Sequence, residues 1–155
     1  MKKLKWRQYG VFIVSAIGWL AIDLATKYYL LHFYSGPVIF IKRFFYIMLQ
    51  KNTGIALGIQ MGYWIQMIAS IAILGMLIYC GWKYLFPLKR NSFLNQFLLG
   101  IIVGGAIGNL VNRIHLGAVI DFIVLKPFPV FNIADVGITL GLIALFFLTY
   151  KADIT

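Results

Sequence analysis

Apolar residues run along this chain in four long blocks, at about Tyr9 to Ala25, Tyr63 to Trp82, Phe93 to Val111 and Ile133 to Tyr150. Each approaches the ~20 residues a helix needs to cross the hydrocarbon of a bilayer. The pattern predicts an all-α membrane protein with four transmembrane helices, forming a single domain over residues 1–155. The connection at about 27–62 breaks the pattern. Val38-Ile39-Phe40-Ile41 and Phe44-Phe45-Tyr46-Ile47 are aromatic and β-prone. After Asn52-Thr53-Gly54, the stretch Ala56–Trp64 reads as a short helix lying in the interface. A small extramembrane β-rich platform with that interfacial helix is therefore expected on the outer face. A second outer connection follows at about 112–132.

Composition agrees. The chain is 62% hydrophobic and 12% charged, whereas soluble domains average about 45–50% apolar and about 25% charged. Its net charge of +10 comes from 14 Lys and Arg against four acids. These cations gather at the ends of the apolar blocks, where they meet lipid headgroups and fix topology, so the expected partner is membrane lipid and not nucleic acid.

The N-terminus, MKKLKWR before an apolar run, has the look of a secretory signal peptide. The run is long, ends in Asp23 and Lys27, and is followed by three further blocks, so a retained first helix is expected. Lys2, Lys3, Lys5 and Arg7 before the first block, and Lys83, Lys89 and Arg90 between the second and third, place both regions in the cytoplasm. Four spans then return the C-terminus to that side. The outer connections carry Lys27, Lys42, Arg43, Lys51, Arg113 and Lys126, so orientation rests mainly on the N-terminus.

The acids change the picture more than the bases. Glu is absent, and the four acids are Asp23, Asp121, Asp135 and Asp153. Ionisable groups at membrane depth are costly and mark function. Cys80, the single cysteine, lies in an apolar run and reads as a small buried apolar residue. Gly100, Gly104 and Gly108, and Gly137 and Gly141, form small-residue ridges at which helices approach closely.

Polar residues converge at the outer ends of the blocks. Asp23 and Lys27 share a helical face at i, i+4. Asn52 and Gly54 precede the second block, Asn109, Asn112 and Arg113 end the third, Asp121 follows, and Asn132 and Asp135 open the fourth. Two carboxylates close together in a low dielectric share a proton, and such a pair activates water without metal or covalent intermediate. His32 and His115 have no neighbours that would make a metal site, and no metal or cofactor is expected. Taken alone, these residues leave two readings open: a proteolytic Asp pair, or a small proton- or cation-coupled transporter subunit using Asp23, Asp121 and Asp135.

At these residues the sequence resembles the lipoprotein signal peptidases (signal peptidase II). Asp23-Leu-Ala-Thr-Lys27 is similar to the family's D-x-x-T-K element, and Asn52-Thr-Gly54-Ile-Ala56 to its N-x-G-x-A block. Gly104-Gly-Ala-Ile-Gly108-Asn109 through Arg113 to Val119-Ile-Asp121-Phe122 resembles G-G-A-x-G-N…R…V-x-D-F, and Phe131-Asn132-Ile-Ala134-Asp135 resembles F-N-x-A-D. The resemblance spans nearly the whole chain. It implies an aspartyl endopeptidase, of the bacterial inner membrane, that cleaves diacylglyceryl-modified prolipoproteins before the lipidated Cys. The catalytic pair carries over to Asp121 and Asp135. Supporting roles carry over to Asp23, Lys27, Asn52, Gly54, Asn109, Arg113 and Asn132. A monomer is expected. One departure stands out: the family usually has Asp before the Arg, where this chain has Asn112.

Overall fold

The computed structural model describes residues 3–54, 62–85 and 93–154. In chain order the elements are α1 (Lys3–Phe33), β1 (Val38–Ile41), β2 (Phe45–Asn52), α2 (Tyr63–Cys80) with a π-helical turn at Gly81–Leu85, α3 (Phe93–Leu116), β3 (Val119–Leu125) and α4 (Ile133–Ile154). Three helical stretches, Tyr9–Phe33, Tyr63–Lys83 and Phe93–Leu116, are long and apolar enough to span a bilayer. The apolar part of α4, Ile133–Leu148, is shorter. The expected interfacial helix falls mostly on residues 55–61, outside the described residues, while Tyr63 and Trp64 already belong to α2.

Two helices outrun their expected ends. α1 continues past Ala25 to Phe33. Lys27 does not stop it, because its side chain is 1% exposed and turns into the protein while Tyr28 and Tyr29 face outward. α3 continues past Val111 to Leu116, so Asn112 and Arg113 lie within the helix rather than in a connection. Gly117 ends it at φ +65°, with its N–H donating to the Arg113 carbonyl (3.0 Å). Glycine takes this left-handed cap position without the steric penalty other residues meet.

α3 is the central helix. Two-thirds of its apolar window (67%) is buried, against 6% for α1 and 11% for α2. α1 and α4 pack directly on it, and the glycine ridge explains how closely. A Cβ at Gly100 would lie 2.6 Å from the Phe12 carbonyl oxygen, and one at Gly104 would run into Ala16 of the same helix. On another face, a Cβ at Gly105 would lie 2.7 Å from the Ala134 carbonyl of α4. Trp19 Nε1 donates to the Ile133 carbonyl (3.2 Å) and joins α1 to the start of α4. Leu98, Ile101, Ile102 and Leu145 form the buried cluster between α3 and α4. Val14, Ile17, Trp64, Ile68, Phe146 and Phe147 are exposed, as lipid-facing side chains are, and so is Cys80, which was expected to be buried but lies on the outward face of α2.

The platform is a three-stranded antiparallel sheet in the order β1-β2-β3. β3 was not anticipated: the second connection is a strand laid across the first. Its registers Gln50↔Asp121 and Asn52↔Val119 carry Asp121 into the sheet beside Asn52. The chain then folds back, with Phe122 and Ile123 N–H both donating to the Phe131 carbonyl, and delivers Asn132 to the start of α4.

Candidate active site

Asn132 is the N-cap of α4 and Asp135 its third residue, and together they form a reciprocal capping box. The Asp135 N–H donates to Asn132 Oδ1 (3.0 Å), and the Asn132 N–H donates to Asp135 Oδ2 (3.2 Å). A further N–H of this turn, on the buried Ala134, donates to Asp23 Oδ1 of α1 (2.9 Å). A helix N-terminus favours negative charge within its first turn, and both Asp135 and Asp23 meet it there.

From Asn132 the network reaches the other carboxylate. Because Asn132 Oδ1 accepts the Asp135 N–H, its Nδ2 must face the opposite way. It donates to Asp121 Oδ1 (2.6 Å) and to Asn109 Oδ1 (3.1 Å). Asn52 is polarised in the same manner. Its Oδ1 accepts the Gly54 N–H (2.8 Å), which turns its Nδ2 onto Asp121 Oδ2 (2.8 Å). Asn109 completes the set: its Oδ1 accepts from Lys27 Nζ (2.8 Å), and its Nδ2 donates to Asp135 Oδ1 (2.8 Å). Three asparagines thus have one amide end fixed by an N–H donor and the other aimed at a carboxylate. Asp121 and Asp135 are both bonded to Asn132, which brings them side by side.

The cations sit behind this layer. Lys27 Nζ pairs with Asp23 Oδ2 (2.7 Å), both ions fully buried. Arg113, also buried, donates from Nη2 to the Gly54 carbonyl (3.2 Å) and anchors the turn that holds Asn52. Asn112 Oδ1 accepts the N–H of Ile120 (3.2 Å), the residue directly before Asp121, so it pins β3 to α3. All the residues expected from the sequence, Asp23, Lys27, Asn52, Gly54, Asn109, Arg113, Asp121, Asn132 and Asp135, lie in one connected cluster.

Gln66, which none of the sequence motifs includes, joins the cluster from α2. Its Nε2 donates to the Thr53 carbonyl, between Asn52 and Gly54, so the first turn of α2 braces the arm that carries Asn52. The available signal was an amide three residues into an otherwise apolar helix, 3% exposed.

Burial is the main reason the Asp121 carboxyl is pushed up to about 6, and the neighbouring Asp135 charge adds to it. Hydrogen bonds from Asn52 and Asn132, and the Lys27 charge, oppose the shift without cancelling it. Counting charges gives the same answer. Three carboxylates (Asp23, Asp121, Asp135) face two cations (Lys27, Arg113), so one proton on the Asp121–Asp135 pair makes the cluster neutral. Neutrality is what a low-dielectric site demands. Both oxygens of each of the three carboxylates accept from N–H donors. Among the described residues no three His, Cys, Asp or Glu gather as metal ligands.

Residues 15–151 match the family model described as Signal peptidase (SPase) II. The lipoprotein signal peptidase of Caldanaerobacter subterraneus subsp. tengcongensis is 41% identical over 145 residues, covering 90% of this chain and 94% of that one. That of Clostridium tetani is 35% identical over 150 residues (91% and 92%), and that of Bartonella quintana 35% over 147 (90% and 86%). Two solved structures have the same fold. One is a bacterial membrane enzyme determined by the in meso method at 2.3 Å, with TM-score 0.80, 29% identity, and 93% of this chain and 90% of that one covered. The other, at 1.9 Å, has TM-score 0.77, 30% identity, and coverage of 92% and 94%.

Proposed function

Since the chain belongs to the signal peptidase II family, we propose that it removes the signal peptide from lipidated prolipoproteins, with Asp121 and Asp135 as the hydrolytic pair. It is a multi-pass membrane protein and a peptidase of the aspartic type. The observation that supports the assignment is the shared Asn132, which donates to both carboxylates, from its backbone N–H to Asp135 and from its side-chain amide to Asp121. The comparisons offer nothing for the transporter reading.

The reaction needs one protonated and one ionised carboxyl. Asp121, pushed up to about 6, is the natural holder of the proton, and Asp135, at the positive end of α4, the natural base. Asp135 takes a proton from a water between the pair as that water attacks the scissile carbonyl. Asp121 gives its proton to the carbonyl oxygen, forming a neutral gem-diol. Collapse returns a diol proton to Asp121 and passes the Asp135 proton to the amine as the C–N bond breaks. The pair ends as it began. Lys27 and Arg113 neutralise the site without touching the reacting atoms.

The substrate class follows from the family: a diacylglyceryl-modified prolipoprotein cut before its lipidated Cys, reaching the site laterally through the bilayer. The enzyme sits in the bacterial cytoplasmic membrane with both termini inside, acts as a monomer, and works at the outer face. There the sheet rests on the leaflet and limits water. Incubation of the purified protein in micelles with a lipidated prolipoprotein should yield the shortened lipoprotein. Unlipidated precursor should remain whole, and equal cutting of both would overturn the substrate assignment.

A further inference from the structure

The outer connections pose a problem that the peptidase activity does not answer. Segments crossing to the outer side are normally poor in Lys and Arg. Lys27 and Arg113 are absorbed by the buried cluster, but Lys42, Arg43, Lys51 and Lys126 are exposed on the sheet and use none of the site's carboxylates.

Three of these four sit together. β1 and β2 join through a tight turn closed by the Phe44 N–H on the Ile41 carbonyl (3.0 Å), with Lys42 and Arg43 at its tip. The end of β3 lies alongside: Phe45 pairs with Leu125, and the Lys126 N–H donates to the Phe44 carbonyl (3.0 Å). Aromatic residues neighbour the three cations along the chain. Phe40, Phe44 and Phe128 are exposed, and Phe40 stacks on Phe45 at 4.8 Å. Among the described residues, no acid lies in the turn, in β1 or in the fold-back after β3.

Arg43 adds an independent sign. It holds φ +63°, a left-handed conformation that glycine or asparagine takes easily and a long side chain does not. The chain keeps a cation where the backbone would prefer Gly.

We infer that this hairpin tip is a docking site for anionic phospholipid headgroups: Lys42, Arg43 and Lys126 pair with lipid phosphates while Phe40, Phe44 and Phe128 enter the headgroup–acyl boundary. Charge complementarity selects the occupant, since clustered cations beside exposed rings match an anionic leaflet. The inference rests on the reading that the sheet lies at the outer leaflet, and makes that contact lipid-selective. Each cation near an anionic surface is worth roughly a fivefold preference, and three act together.

Hydrogen exchange of the full chain tests it in three settings: detergent, nanodiscs of phosphatidylcholine, and nanodiscs with about a third phosphatidylglycerol. Passing from detergent to phosphatidylcholine should slow exchange at 40–46, which reports contact with the leaflet. Phosphatidylglycerol should slow it at least fivefold further at low salt, and 0.5 M NaCl should remove that increment by screening. The triple variant Lys42→Gln, Arg43→Gly, Lys126→Gln should lose the increment, whereas Lys51→Gln at the far end of β2 should keep it. Arg43→Gly relieves the left-handed strain, so misfolding does not confound the comparison. Exchange insensitive to phosphatidylglycerol, or an increment surviving in the triple variant, overturns the inference. No protection in either bilayer removes the leaflet placement as well. Cleavage in detergent by the same samples reports separately on the peptidase reading.

Discussion

The three asparagines differ from ordinary polar side chains in that a neighbour dictates which way each amide points. An amide aimed at a carboxylate cannot swap ends without losing a backbone or lysine partner, so Asp121 and Asp135 are held in fixed registry. Asp121→Asn and Asp135→Asn keep the size of the side chain and one of its two acceptor oxygens but can neither take nor give a proton in the reaction. Each should lower cleavage by at least roughly 10²–10⁴-fold while the protein remains folded, as a pair acting as a unit requires. Cleavage assays beside thermal melts check both halves, and substantial turnover by either variant removes that residue from the chemistry. The pH dependence follows from Asp121. Its folded value of about 6 lies above the ordinary 3.8, so the stability it confers is fully present below about 3.8 and is lost as pH rises through 6. Activity should therefore fall on the alkaline side as the pair loses its shared proton, and on the acid side as the base is protonated. A profile with only a rising limb contradicts shared-proton catalysis. Asp121 and Asp135 were legible in the sequence because carboxylates are scarce in this chain and costly in a membrane. Gln66 was not, since a lone amide at the start of an apolar helix looks like an interfacial residue until Thr53 is seen beside it.

Between elements, the site is set by how closely α1, α3 and α4 approach and by how β3 is tied to α3. Gly108 is the point of that approach that bears on the buried ion pair: a Cβ there would overlap Asp23 Oδ2, the oxygen that holds Lys27. Gly108→Ala should push the buried pair apart and lower activity at least tenfold with a clear fall in melting temperature, because breaking a buried pair costs roughly 3–5 kcal/mol. An alanine variant as stable and active as the parent would show that α1 can move aside freely. Asn112 makes the other tie, through the Ile120 N–H. Asp offers the same acceptor, so Asn112→Asp should leave cleavage within about tenfold, whereas Asn112→Leu should reduce it by loosening β3 from α3, at a cost of roughly 1 kcal/mol for the lost hydrogen bond plus that of the unmet N–H. Side-by-side assays of the two variants separate acceptor from charge. The spans were readable because a bilayer imposes a length, and β1 and β2 because branched and aromatic residues cluster there. β3 was missed although Val119-Ile-Asp-Phe-Ile-Val-Leu125 has the same character. The ends of α1 and α3 were missed because Lys27, Asn112 and Arg113 look like helix ends but are buried by contacts far away in sequence.

Over the whole molecule, one arrangement accounts for where the charges are. Lys3, Lys5 and Arg7 lie at the start of α1, the site and sheet lie past its other end, and three of the four exposed cations of the outer connections, Lys42, Arg43 and Lys126, gather at the hairpin tip. A lipidated substrate stays in the bilayer, so the bond to be cut must meet the pair near the headgroups rather than in mid-membrane, where a charged network costs most. The orientation is open to a direct test. In a Cys80→Ala background, Ser35→Cys places a thiol in the exposed link between α1 and β1, and a cysteine appended after Thr155 marks the C-terminus. A membrane-impermeant maleimide should label the first thiol in intact spheroplasts and the second only after permeabilisation. Labelling of the C-terminal thiol from outside would invert the topology and put the pair at the cytoplasmic face. Labelling of neither until the membrane is opened would do the same for the sheet. With α1 fixing the sheet and α4 carrying Asp135 at its first turn, the side reached by the reagent at residue 35 is the side on which hydrolysis occurs.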